Sequence, residues 1–256
     1  MPSLVGSEMC IRDRYSSVLK TVGEPYTNKT IDLRTNEVHD ITVEPATDEE
    51  VFNTVKVMGG EDWKDWITAL KNADAIEPDA ITVAYSYIGP VLTHPMYRDG
   101  SIGKAKDHLF KTAKEITEEF NGIRAYLSVN KALVTQSSAA IPIVPLYISI
   151  LYKVMKAKGC HEGCIEQMYR LFNQKLFGEK PVLDAEGRIR LDDLELQDDI
   201  QEEVTKLWSD ISTEKIAECA DIDGYWEEFY KLFGFKVTGV DYDAETDVEV
   251  KIDSID

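Results

Sequence analysis

Ala80-Ile-Thr-Val-Ala-Tyr-Ser-Tyr87, the segment Ser101 to Phe120, and Ile123-Arg-Ala-Tyr-Leu-Ser-Val129 decide the fold between them. The first is a near-continuous apolar and aromatic run of strand length, the pattern of a strand buried on both faces of a parallel sheet. The second places Ile102, Ala105, Leu109, Ala113, Ile116 and Phe120 at spacings of three and four, one face of a helix. Asn121-Gly122 ends that helix, and the third run is β-prone. Strand, loop, helix, strand is a βαβ unit, so residues 80–130 predict an α/β domain with a parallel sheet. The C-terminal ends of its strands, Tyr87 onward and Asn130 onward, are the expected ligand edge.

Working outward, Thr30-Ile-Asp-Leu33 and His39-Asp-Ile-Thr-Val43 read as a hairpin or small edge strands. Thr47 with Glu50 forms a capping box. Val51, Val55 and Met58 give the following helix its stripe, and Gly59-Gly60 stops it. A second helix covers about 61–71, with Trp63, Trp66, Ile67 and Leu70 on one side. From Ile143 the chain reads as mostly helical, an added helical lid over a substrate. Its stripes are Ile165, Met168, Leu171, Phe172 and Leu176, then Ile200, Val204, Leu207 and Ile211, then Tyr225, Phe229 and Phe233. A short strand at Arg188–Leu191 interrupts it.

The 256 residues carry a formal charge of −19. Such a surface repels phosphate backbones, so nucleic acid is not an expected partner. The four cysteines are sparse and show no disulfide framework, which fits a reducing cytoplasm. The longest uncharged apolar run, Ala139–Tyr152, falls short of the roughly 20 residues of a bilayer span and contains Pro142 and Pro145. It reads as buried core, and no membrane association is expected.

Residues 1–14 stand apart. Leu4-Val-Gly-Ser-Glu-Met-Cys-Ile-Arg-Asp13 resembles the translation of a transposon-type sequencing adapter. It lacks the apolar core of a signal peptide. The expected organisation is therefore a non-native segment at 1–14 and the C-terminal part of one domain at 15–256. The chain also lacks the G-x-G-x-x-G turn of a dinucleotide fold. Either it is not a nucleotide enzyme, or that half lies upstream. On the second reading this piece alone binds cofactor weakly and is inactive.

Three constellations could carry chemistry. Tyr97 stands at the strand edge and Lys106 lies nine residues on, in the helix. A phenol can donate a proton where charge develops on a thioester oxygen if a cation lowers its pKa toward working pH. The other reading is a loop tyrosine and an exposed lysine. Lys106 borders the apolar stripe, so its stem can follow the buried face and present its ammonium at the crevice. Val129-Asn-Lys-Ala-Leu-Val-Thr-Gln-Ser-Ser138 could offer backbone groups to a nicotinamide carboxamide, or could be an ordinary strand-to-helix loop. Cys160-His-Glu-Gly-Cys164 has C-x3-C spacing without a second cluster, which suits a helix start at Gly163 better than zinc. No metal is expected.

The Tyr97–Lys106 segment closely resembles the trans-2-enoyl-CoA reductases, or FabV-type enoyl-acyl-carrier-protein reductases, whose hallmark is Tyr-x8-Lys. Short-chain dehydrogenases in general space the pair by three. The resemblance continues through Met58-Gly-Gly-Glu-Asp-Trp63, Tyr85-Ser-Tyr-Ile-Gly-Pro90, Val129–Thr135, Ile141-Pro-Ile-Val-Pro-Leu-Tyr147 and His161-Glu-Gly-Cys-Ile-Glu-Gln167. It implies a monomeric, Rossmann-like α/β enzyme related to the short-chain dehydrogenases. Such an enzyme reduces the 2,3 double bond of an enoyl-CoA or enoyl-acyl-carrier-protein thioester with NADH, in fatty acid synthesis. By position it implies Tyr97 as proton donor and Lys106 as cofactor-binding support. Tyr87 matches a substrate contact, and Thr135, Gln136 and Ser137 match backbone contacts to the cofactor. Leu133, Val144, Tyr152 and Tyr225 match the acyl pocket. The rival readings are a ketoacyl reductase, against which the Tyr–Lys spacing argues, and a non-catalytic acidic fragment.

Overall fold

The computed structural model describes residues 14–246. The expectation for residues 1–14 therefore falls, but for Arg14, outside the described residues, as do residues 247–256. The elements run β1 (Tyr26–Asp32), β2 (Glu37–Val43), α1 (Asp48–Met58), α2 (Glu61–Asn72), β3 (Ile81–Ser86), α3 (Ser101–Glu119), β4 (Arg124–Val129) and α4 (Val144–Ala157). There follow α5 (Cys164–Arg170), continued by a π-helical turn (Leu171–Leu176), then β5 (Ile189–Arg190), α6 (Asp198–Asp210), α7 (Ile216–Cys219) and α8 (Ile222–Lys231).

The βαβ unit is present: β3 pairs with β4 in parallel, Ile81 opposite Arg124 through Ser86 opposite Val129, with α3 between them in the chain. β5 adds in parallel to the far side of β4, giving the order β3-β4-β5. β1 and β2 form the expected hairpin, antiparallel from Tyr26–Val43 to Asp32–Glu37. The Thr47–Glu50 capping box closes in both directions, and α3 buries Ile102, Ala105, Leu109, Ala113 and Ile116 as its spacing requires.

Three burial expectations need correction. β3 is half-buried rather than covered on both faces, and Tyr85 is exposed, because β3 is an edge strand of the described sheet. Trp66 faces solvent, since α2 buries only Ile67 of its stripe. Ile165 and Phe172 are exposed while Leu171 and Leu176 are buried. The π turn brings residues five apart onto one face and so breaks the spacing of an α-helical stripe.

The largest core cluster lies around α4, which is buried almost all round against β1, α6 and α8. This is the segment read as buried core, and its burial removes it from consideration as a span. Among the described residues no helix is long and apolar enough to cross a membrane.

Candidate active site

Four structural devices converge on the C-terminal ends of β3 and β4. After β3 the chain passes Tyr87 and a short 3-10 turn at Val91–Thr93, and the Tyr97 amide donates to the Thr93 carbonyl at 3.0 Å. α3 then begins: the Ser101 amide donates to the Lys20 carbonyl at 2.9 Å, and its hydroxyl donates to the Val18 carbonyl at 2.6 Å. Gly103 lies directly under the preceding turn, where a Cβ would collide with the Tyr97 and Arg98 carbonyl oxygens. α4 enters from Ile143, a fully buried β-branched residue held at φ +75°. That conformation is costly for isoleucine, and its amide is tied to the Thr30 hydroxyl at 3.2 Å.

These elements enclose a cavity of about 230 Å³ lined by Tyr87, Tyr97, Lys106, Leu133, Thr135 and Val144, together with Lys131 and Ile148. Tyr97 and Lys106 also share a second wall, with Arg98 and Arg188 beyond it. The structure thus brings together six of the residues singled out in sequence. Gln136 faces a separate groove beside β1. Ser137 is exposed in the same loop. Tyr152 and Tyr225 are fully buried beneath that loop. The Val134 amide donates to the Tyr152 hydroxyl at 3.3 Å, and the Tyr225 and Ser138 hydroxyls lie 3.3 Å apart.

The electrostatics differ from the expectation. A cation was expected to lower the Tyr97 phenol. Instead burial, helped by the negative Glu195 carboxylate, holds it above its ordinary value. Lys106 is itself lowered by burial, since desolvation disfavours its charged form. Among the described residues Lys106 has no ion-pair partner and the Tyr97 hydroxyl makes no hydrogen bond. Tyr87, packed edge to face on Tyr97 with ring centroids 4.8 Å apart, donates its hydroxyl to Glu195 Oε1 at 3.0 Å.

Sequence reasoning missed two buried charges. Glu195 has no exposed surface. Its carboxylate accepts from the Tyr87 hydroxyl, from the Tyr147 hydroxyl at 2.6 Å and from the Ala132 amide at 2.7 Å. Burial raises its carboxyl, and the Tyr147 donation opposes that. Lys131 is 1% exposed; its ammonium donates to the Ala132 carbonyl at 2.8 Å and lies 4.8 Å from the Tyr152 ring centroid. Burial lowers it to about 8, against the pull of Glu195. Glu195 sits in the run Asp192-Asp193-Leu194-Glu195, which reads as a solvated stretch, so no local signal marked it.

The Cys160–Cys164 segment starts a helix, as read: Gly163 precedes α5 and its amide donates to Glu166 at 3.0 Å. Glu162 is taken by Arg170, and the His161 ring packs on Tyr152. Among the described residues no cluster of three or more His, Cys, Asp or Glu is placed to hold a metal.

Comparison with known proteins places this site in a family. A family model described as the trans-2-enoyl-CoA reductase catalytic region matches residues 8–177, and one described as an enoyl reductase FAD binding domain matches 183–246. The chain is 52% identical over 243 residues to the trans-2-enoyl-CoA reductase [NADH] of Ruminiclostridium cellulolyticum, covering 94% of this chain and 62% of that protein. It is likewise 52% identical over 244 residues to the enoyl-[acyl-carrier-protein] reductase [NADH] of Flavobacterium johnsoniae, with the same two shares. The crystal structure of Treponema denticola trans-2-enoyl-CoA reductase in complex with NAD superposes with a TM-score of 0.87 at 49% identity, covering 91% of this chain and 59% of that one. The chain thus spans about three fifths of the length of the relatives it matches. By its family match, its fold and the Tyr97–Lys106 site, it belongs to the trans-2-enoyl-CoA reductase family.

Proposed function

We propose that the protein carrying this chain reduces the trans-2,3 double bond of an enoyl thioester, on coenzyme A or acyl carrier protein, with NADH, as a cytoplasmic monomer in fatty acid synthesis. One observation supports this above the rest. A buried tyrosine hydroxyl shares a cavity wall with a half-buried lysine, neither with a hydrogen-bond or ion-pair partner among the described residues, at the C-terminal edge of a parallel sheet. That edge is where α/β folds bind ligands.

The residues present fit the nicotinamide end of the cofactor. Lys106 has no ion-pair partner among the described residues to give up, and Thr135, Gln136 and Ser137 form an exposed loop that can turn backbone groups toward a carboxamide. Bound NADH supplies a hydride for the β carbon of the enoyl thioester. The electron pair of the double bond moves to the thioester oxygen. Tyr97, only 8% exposed, meets that charge with its hydroxyl, and its low-dielectric surroundings strengthen the hydrogen bond. At neutral pH a phenol is protonated even at its ordinary value, and burial, which raises that of Tyr97, keeps it a donor. As the carbonyl re-forms, the α carbon takes the proton that Tyr97 gives up, and the phenolate is reprotonated from solvent. Lys106 steadies the developing phenolate and holds the cofactor ribose. Leu133 and Val144 offer apolar surface to the acyl chain, Tyr87 forms the wall beside Tyr97, and Tyr152 and Tyr225 back the pocket from below.

The test is NADH oxidation, followed by loss of its absorbance, with crotonyl-CoA and in parallel with acetoacetyl-CoA. Turnover of the enoyl substrate alone is expected. Preferential turnover of the ketone would replace this reading with a ketoacyl reductase.

A further inference from the structure

We propose that Glu195 is the positioning residue of this site: its buried carboxylate clamps the Tyr87 hydroxyl and the Ala132 amide, and so seats the Tyr97 ring with its own hydroxyl free for the substrate. This rests on the reading of Tyr97 as proton donor.

Glu195 lies in the turn between β5 and α6, far in sequence from everything it holds. Oε1 accepts from Tyr87, beyond β3, and from Tyr147, on α4; Oε2 accepts from Ala132, beyond β4. One side chain therefore joins both strand ends that make the ligand edge to the helix that forms the cavity floor. Gln201 on α6 completes the brace, donating to the Tyr147 hydroxyl at 3.2 Å and to the Glu195 carbonyl at 2.7 Å.

The chemistry suits a clamp. Three donors converge on one point, and an ionised carboxylate is acceptor-only, so it satisfies all three without offering a proton of its own. If packing were the only need, an apolar side chain would fill the place without the desolvation of a buried charge. The charged group nearest in influence is Lys131, whose ammonium is held by the Ala132 carbonyl rather than by the carboxylate.

The consequence falls on Tyr97 through Tyr87. With the Tyr87 hydroxyl held by Glu195, its ring is fixed at 89° to that of Tyr97. Three phenols border the cavity, those of Tyr85, Tyr87 and Tyr97. The clamp withdraws that of Tyr87 and leaves that of Tyr97 in the wall it shares with Lys106.

The experiment uses this chain with isotope-labelled tyrosine, so that ring contacts and phenol titration are read by NMR without turnover. Glu195→Ala should abolish the Tyr87–Tyr97 ring cross-peaks and move the Tyr97 ring resonances. Glu195→Gln, which keeps the shape and one acceptor, should retain those cross-peaks. Its Tyr97 phenol should ionise at lower pH than in the wild type, because the neighbouring negative charge is gone. If Glu195→Ala does not fold, the Gln variant decides alone. Wild-type cross-peaks in the Ala variant, or an unchanged Tyr97 titration in the Gln variant, would overturn the proposal. In the kinetic arm, run on the full-length enzyme, Glu195→Ala should lower kcat on the order of 10-fold, with KM for NADH unchanged, as expected when a reacting group is misplaced and cofactor binding is not, and Glu195→Gln, which keeps the rings in place, should lose less. Failure of the full-length wild-type enzyme to turn over any enoyl thioester would count against the reductase reading, while the NMR arms on this chain would still report on Glu195.

Discussion

Tyr87 and Tyr97 meet edge to face at 4.8 Å, yet among the described residues only one of the two hydroxyls is engaged: Tyr87 donates to Glu195, while Tyr97 lines the cavity. The two tyrosines are thus adjacent in space and differ in their hydrogen bonding.

Conservative substitution separates those roles. Tyr97→Phe removes a hydroxyl that bonds to nothing among the described residues, so stability should stay within about 0.5 kcal/mol of wild type. Reductase activity should fall by about 100-fold or more with the loss of an oxyanion donor. Tyr87→Phe takes a donor from a buried carboxylate and should cost roughly 1–3 kcal/mol. Urea melts of the two variants check this, and equal losses would contradict it.

Lys106 is lowered by burial and has no ion pair among the described residues. Its charge therefore does nothing for folding, and Lys106→Met should melt at or above the wild-type temperature. In the reductase assay Lys106→Ala should reduce kcat by about 100-fold and raise the KM for NADH, because the same ammonium is proposed to hold the ribose. Near-wild-type kcat with an intact melt would remove half of the catalytic pair.

Arg170 behaves in the opposite way. It is nearly buried, and it grips Glu162 through two hydrogen bonds at 2.7 and 2.8 Å, Asp193 at 2.6 Å and the Leu191 carbonyl at 2.7 Å. Arg170→Met leaves Glu162 and Asp193 without their main partner. By the usual cost of breaking a buried pair, it should lose about 3–5 kcal/mol. Chemical denaturation measures this directly, and a loss below about 1 kcal/mol would mark the network as surface decoration.

The strand–helix–strand unit and the Thr47–Glu50 cap were legible in the sequence because periodicity and capping are local properties. So was the Tyr97–Lys106 segment, through its spacing. The electrostatics of that pair were not. They depend on burial of both groups and, for Tyr97, next on Glu195, 98 positions beyond it in the chain and set inside an acid-rich run that looks solvated. Its burial is decided by donors from Tyr87, Ala132 and Tyr147, separated from it by 108, 63 and 48 residues. The stripe through Ile165 and Phe172 misled for a nearer reason: it assumed α geometry across a segment that turns π.

His161 provides the pH test. Its ring stacks edge-on against Tyr152 with centroids 4.4 Å apart, and its buried Nδ1 has no hydrogen-bond partner among the described residues. Burial, then the positive charges of Lys131 and Lys156, lower it to about 4 from an unfolded value of 6.5, and Asp221 and Glu166 oppose them. The unfolded chain therefore binds the proton more readily throughout that window. The contribution to stability is complete above pH 6.5 and is lost progressively as pH falls toward 4. Carboxylates such as Asp221, whose carboxyl is held low by Lys156, lose stability further into acid, so the effect of His161 must be read as a difference. His161→Phe keeps a ring against Tyr152 and removes the titration. Between pH 6.5 and 4 its unfolding free energy should decline less steeply than that of the wild type, and above pH 6.5 the two slopes should coincide. Urea midpoints measured across the window give both slopes, and parallel curves throughout would show that His161 titrates alike in the folded and unfolded chain.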